Sequence, residues 1–153
     1  MIKKMLGGLL CAAILFTAVG CADNTPSVNV KDVVDKIAEQ GYVRAPSEAD
    51  DLVAKDVYNL KLEDIEEHAI IETQISPGPG FLAVVKAKKG KVDSVKASLE
   101  KVKEDMIGRA FYPAEREAAE NATVEVVGNI VYFSLFNSEV NEEAQNMIKD
   151  LLK

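Results

Sequence analysis

The segment HAIIETQISPGPGFLAVVKA, residues 68–87, decides the fold. Two apolar runs, His68 to Ile75 and Phe81 to Ala87, flank Ser76-Pro77-Gly78-Pro79-Gly80. Each run has strand length and carries β-branched side chains. Proline presets one turn angle and glycine accepts positive φ, so the residues between the runs read as a hairpin connection. A second hairpin follows. Val124 to Val127 and Ile130 to Phe136 are separated by Gly128-Asn129, a turn signal of the primed type.

Outside the hairpins the apolar period changes to that of a helix. Val30, Val33, Val34, Ile37 and Ala38 form one stripe, with Asn29 as N-cap, Asp32 in a capping-box position and Gly41 as the stop. A short second helix is expected after Pro46, capped by Ser47, with Glu48, Asp50 and Asp51 in its first turn and Leu52, Val53 and Val57 packing. Val92, Val95, Leu99, Val102 and Met106 predict a long helix that Gly108 and Pro113 close, followed by a short one over Ala114–Glu120. The last helix is capped by Asn137 or Ser138. It buries Val140, Ala144, Met147, Ile148, Leu151 and Leu152. Early Glu139, Glu142 and Glu143 and late Lys149 and Lys153 suit its dipole. The order α-α-β-β-α-β-β-α predicts an α+β domain. Its sheet is antiparallel and four-stranded, built of two hairpins and packed with a long central helix and a C-terminal helix.

The strands carry a second message. If Ala69, Ile71, Phe81, Ala83, Val85, Val131, Phe133 and Leu135 face the long helices, the other face holds Ile70, Leu82, Val84, Ile130, Tyr132 and Phe136. An antiparallel sheet with one wet face alternates apolar with polar, yet this one is apolar on both. Either the first two helices cover the second face, or those residues form a partner face. The Val30–Ala38 stripe needs a surface to bury against, which favours helical cover.

The 153 residues include 18 basic and 25 acidic side chains. Residues 1–20 hold 14 apolar side chains, two lysines and no acid. Met5 to Val19 is short for a membrane span and right for the apolar core of a signal peptide. It ends in Ala18-Val19-Gly20-Cys21, which resembles a bacterial lipobox, although Ala18 stands where leucine is commonest. That resemblance implies cleavage after residue 20, lipidation of Cys21 and a place at the cell membrane on its extracytoplasmic face. The alternatives are ordinary secretion with a free Cys21, or an uncleaved anchor. Residues 21–28 would be the lipidated cysteine and a tether that reaches roughly 25 Å, and residues 29–153 the domain. Two acyl chains hold a protein lastingly, where one is marginal. Cys11 would be discarded, leaving no disulfide. The remaining chain has 16 basic and 25 acidic side chains, a formal charge of −9. That excludes nucleic acid as a partner, because phosphate binding needs clustered cations.

A family resemblance rests on an ordered series. Glu66-Glu67-His68-Ala69 leads into a strand, the helix near Val92 ends in Phe111-Tyr112-Pro113, and Val126-Val127-Gly128-Asn129-Ile130-Val131-Tyr132-Phe133 precedes a C-terminal amphipathic helix. From about Glu63 to Leu152 this resembles the domain of unknown function numbered 4358, found in lipoproteins of Gram-positive bacteria. Members usually carry an aromatic residue after the Gly-Asn turn, where this chain has Ile130. The resemblance implies fold and location, and brings no activity with it.

Chemistry is sparse. His68 is the only histidine, with Glu66, Glu67 and Glu72 nearby in sequence. His68 and Glu72 are the candidates for a catalytic base and its orienting carboxylate, since alternation puts them on one strand face; the competing reading is a solvated histidine beside acids. One histidine and no spare cysteine predict no metal site and no cofactor. Glu63, Asp64, Glu66 and Glu67 lack the spacing of a calcium loop, and Pro77-Gly78-Pro79-Gly80 lacks the lysine of a phosphate loop. Lys86, Lys88, Lys89 and Lys91 form the one basic cluster, suited to contact with anionic headgroups at about 1 kcal/mol per lysine, or else a solvated strand end. The expectation is a membrane-anchored extracytoplasmic lipoprotein serving as a binding or accessory domain, with an envelope protein as partner. The alternative is an envelope hydrolase using His68 with nearby carboxylates.

Overall fold

The structure, a computed structural model, describes residues 26–153. Residues 1–20, read from the sequence as an export signal, and Cys21 lie outside the described residues. Among those residues no helix is long and apolar enough to cross a membrane.

Helix α1 spans Val30–Glu39. The Asn29 side chain accepts the N–H groups of Lys31 and Asp32 at 2.8 and 3.2 Å, satisfying two donors that the first turn leaves open. Its buried residues are Val30, Val33, Val34 and Ile37, as the stripe requires. The fold reaches further back than Asn29: Pro26 is buried and Val28 packs against the core.

The segment after Pro46 departs from expectation. Pro46–Glu48 is a short strand, β1, and helix α2 begins only at Asp51–Asp56, capped by Asp50 rather than Ser47. Asp50 accepts the Val53 N–H at 2.9 Å. All three β1 residues are exposed, so no apolar alternation marks them. What makes the strand is the open edge of its neighbour, and proline is tolerated at such an edge. Leu52 and Val57 stay exposed; Ala54 and Tyr58 are buried in their place.

Strands β2 (Ile65–Thr73), β3 (Phe81–Ala87), β4 (Val124–Val127) and β5 (Ile130–Leu135) complete an antiparallel sheet of five strands in the order β1-β2-β3-β5-β4. The sheet therefore has one strand more than the hairpins alone give. Gly128 at φ +61° opens the Gly128-Asn129 turn, and Val127 pairs with Ile130 directly across it.

Helices lie on both faces. One face packs beneath α2, α3 (Val92–Arg109) and α4 (Pro113–Asn121), and buries Ile70, Phe81, Ala83, Val85, Val131 and Phe133 against Val95, Leu99 and Val102. The other packs beneath α1 and α5 (Ser138–Leu151), and buries Ile71, Leu82, Val84, Ile130, Tyr132 and Phe136 against Ile37, Ala144, Ile148 and Leu152. The first and last helices thus share the second face, and α2 belongs to the first.

The predicted faces hold for β3 and β5 and are inverted for β2. Ile70 pairs with Ala83 and Ile71 with Leu82. β2 ends at Thr73, whose N–H donates to Gly80 O at 2.7 Å, so the connection starts at Gln74 and not at Ser76. That displaces the register by an odd number of residues, which exchanges every side chain between faces. A bulge between Ile65 and Glu67 then returns Ile65 to the α3 face.

Candidate functional site

His68 does not meet Glu72. Four residues along a strand span about 13 Å, and each side chain finds another partner. His68 Nε2 lies 2.9 Å from Asp51 Oδ1, at the start of α2. Glu72 accepts the Tyr58 hydroxyl at 2.6 Å. The His68 side chain is 12% exposed, and its Nδ1 is buried without a hydrogen-bond partner among the described residues. The nitrogen a general base would use is therefore closed to a substrate, and the other is held by Asp51. The pair ties α2 to the sheet edge. No group of three His, Cys, Asp or Glu side chains among the described residues is placed to hold a metal ion.

Most of the basic cluster serves the fold. Lys91 Nζ lies 2.8 Å from Asp64 Oδ1, Lys88 Nζ donates to Glu63 O at 2.7 Å, and Lys86 Nζ lies 3.6 Å from Glu66 Oε1. Asp64, buried in the 3-10 turn Leu62–Asp64, also accepts the Ser94 hydroxyl at 2.7 Å. The Lys91 ammonium, and next the Ser94 hydroxyl, hold its carboxyl below the usual carboxylate range. These bonds clasp the β3–α3 connection to the start of β2. Lys88 and Lys89 are exposed, and Lys89 alone of the four makes neither an ion pair nor a side-chain hydrogen bond among the described residues.

Ile70, Leu82, Val84, Ile130, Tyr132 and Phe136 are all buried, so they offer no partner face. Ile70 lies beneath α3, and the other five beneath α1 and α5. One polar chain accompanies the apolar contacts there. Gln145 Nε2 donates to Ser134 Oγ at 2.5 Å, and the Tyr132 hydroxyl donates to Gln145 Oε1 at 3.5 Å. Burial pushes the Tyr132 phenol up to about 12.

Several of the features that stand open gather at the loop end of the sheet. The loop after β2 is held from both sides: Arg44 Nη2 donates to Pro77 O at 2.7 Å, and Glu115 Oε1 accepts the Gly78 N–H at 2.8 Å. Glu115 Oε2 also accepts the Tyr112 N–H at 3.4 Å, which ties the start of α4 to the same loop. Gly78 has φ +142°, and a Cβ there would come within 2.5 Å of Arg44 Nη2. Two clefts of about 390 Å³ each flank this loop. The first runs from Thr73 and Gln74 to Arg109, over a floor of Phe81, Met106 and Leu135. The second is walled by Tyr42, Arg44, Pro77, Pro79 and Tyr112.

Exposed apolar side chains crown this end. Phe111 is 86% exposed, its ring 5.3 Å from that of Tyr112, and Ile75 is also exposed. Sequence reasoning took Ser76–Gly80 as a turn and Phe111-Tyr112 only as part of a family pattern, and so missed the site. The available signal was two adjacent aromatics between the end of one helix and Pro113, at positions outside any buried stripe.

A family model described as Domain of unknown function (DUF4358) matches residues 39–136. The match takes in the whole sheet, α2 to α4 and both walls of the loop end. It starts well before Glu63 and stops at Phe136, before the C-terminal helix that the resemblance had included. No curated protein and no solved structure gives a match to this chain.

Proposed function

The chain belongs to the DUF4358 family, and from that footing we propose that it is a membrane-anchored extracytoplasmic lipoprotein whose domain is a binding or accessory module of the cell envelope. A lipid on Cys21 holds it to the membrane, and an envelope protein docks at the loop end of the sheet. One observation carries the docking site: an almost fully exposed Phe111, set between Ala110 on the first cleft and Tyr112 on the second, with exposed Ile75 also lining the first. Large apolar side chains grouped in this way cost free energy in water unless something covers them.

The geometry supports an orientation. Pro26 and Val28 are held against the domain, so little chain remains between Cys21 and the fold. Helix α1 then carries the chain about 15 Å to the Tyr42 wall of the second cleft. β3 runs from Phe81 at the loop end to the lysines at the other, about 20 Å away. Lys89 and its neighbours then face the headgroups while Phe111 points toward the envelope.

Affinity capture from detergent-solubilised membranes tests the reading. The wild-type chain is expected to recover a specific protein, and Phe111→Ser with Ile75→Ser to lose it. Recovery of the same set by both chains, or of nothing specific by either, refutes docking at this end.

A further inference from the structure

The first cleft has a charge arrangement that its own side chains leave unsatisfied. Arg109, the last residue of α3, lines it with no hydrogen bond or ion pair among the described residues. Two carboxylates share the same walls, Glu72 and Glu115. Neither is bonded to Arg109. Glu72 takes the Tyr58 hydroxyl, and Glu115 takes the N–H groups of Gly78 and Tyr112. Burial, and next the Glu72 carboxylate, push the Tyr58 phenol up; Arg109 opposes this only weakly and closes no pair. Ala110 also lines the cleft, which brings in the C-terminal end of α3 with its partial negative charge. Beneath these groups lie Phe81, Met106 and Leu135, each less than a tenth exposed.

A plain anion entering here would meet Arg109 but also two carboxylates. A plain cation would meet the carboxylates but also a guanidinium. Arg109 stands exposed at the rim while Glu72 and Glu115 are half-buried, so each mismatch sets like charges side by side where water screens them only in part. A ligand with both charges close together and an apolar body meets each group with its complement. The volume of about 390 Å³ lies within the range of small-ligand sites.

Building on the assignment of the loop end as the binding surface, we infer that this cleft binds a zwitterion, an apolar α-amino acid or short peptide. Arg109 takes the carboxylate, Glu72 and Glu115 face the ammonium, and Phe81, Met106 and Leu135 receive the side chain. Arg109 is the natural carboxylate partner because its fork of donors can engage both oxygens.

The test uses the detergent-solubilised full chain carrying ¹³C-methyl methionine. L-Leucine and L-leucyl-L-leucine are titrated, with N-acetyl-L-leucine and L-leucinamide as analogues that each lack one charge. The Met106 methyl resonance is expected to move with the zwitterions, and that of Met147, on α5 at the opposite face, to stay. Each analogue should bind about tenfold or more weakly than leucine, the loss expected for one charged hydrogen bond. Arg109→Gln should weaken leucine by a similar factor and leave leucinamide unchanged, with Met147 reporting an intact fold. The tighter of leucine and dileucine identifies the source as free amino acid or peptide. A still Met106 resonance at millimolar zwitterion, or equal response to the charged and charge-deleted ligands, overturns the inference. If Phe111-dependent capture persists while Met106 stays still, only this inference falls. If capture is lost too, the assignment beneath it falls as well.

Discussion

Ile148→Ala tests whether α5 seals the second face of the sheet. Ile148 is 0% exposed and packs with Ile37, Tyr132 and Leu152 under α5. The substitution removes side-chain carbons worth about 0.8 kcal/mol each, or about 2.4 kcal/mol of transfer free energy. A rigid, close-packed interior relaxes only partly around the space left, which raises the loss to about 3–4 kcal/mol. For a domain of this size that corresponds to a fall of about 10 °C in Tm. Urea unfolding followed by circular dichroism reads the change as a lower midpoint at unchanged slope. Leu52→Ala is the control: at 65% exposure it should alter stability by less than about 0.5 kcal/mol. A loss below about 1 kcal/mol for Ile148→Ala would refute the reasoning. It would mean that α5 does not close the face, and that Leu82, Val84 and Tyr132 lie under a cover loose enough to leave.

Three further outcomes follow from other parts of the molecule. Lys91 and Ser94 hold the Asp64 carboxyl low, so its contribution to stability is complete above the ordinary carboxylate range and is lost as pH falls through the lowered value. Asp64→Asn should therefore lower the urea midpoint at neutral pH and flatten its decline in acid; an unaltered decline counts against the clasp. Gly78→Ala places a Cβ against Arg44 at a φ that side chains avoid and should cost about 1–2 kcal/mol, with a thermal midpoint equal to wild type as the contrary result. Cys21→Ser should leave the precursor unacylated, and metabolic fatty-acid label persisting in that variant would refute the lipid anchor.

Much of the fold was legible because its signals are local. Asn29 and the stripe after it define α1, the three-and-four spacing from Val92 defines α3, and Gly128-Asn129 defines a hairpin; each is complete within a few residues. β1 was illegible because its strand character comes from the edge of β2, more than twenty residues away in sequence, and not from its own side chains. The faces of β2 were misread because the Gln74 N–H is taken by Ala45 O at 3.2 Å and the Ile75 N–H by Thr73 Oγ1 at 3.2 Å, which end the strand early inside an apolar run. The second helix was expected to be capped by Ser47, with Asp50 in its first turn. Pairing of Pro46–Glu48 in the sheet left only Asp50 in place to serve.

The candidate site was hidden for a related reason. Arg44, the loop at Pro77, Arg109 and Glu115 come from four separate elements, and no spacing along the chain announces that they converge. The histidine that did stand out in sequence was already committed to Asp51, seventeen residues earlier.

Joining α1 to α5 across one sheet face has a consequence in time. Helix α1 cannot finish its interface until α5 has been made, because Ala144, Ile148 and Leu152 are its partners there. The α3 face draws on nothing beyond Leu135, so it can close while α5 is still being made. A chain cut short before Ser138 would carry a finished half and an open, apolar half. A chaperone or protease that reads exposed apolar surface would tell such a chain from one that carries α5 by that single surface.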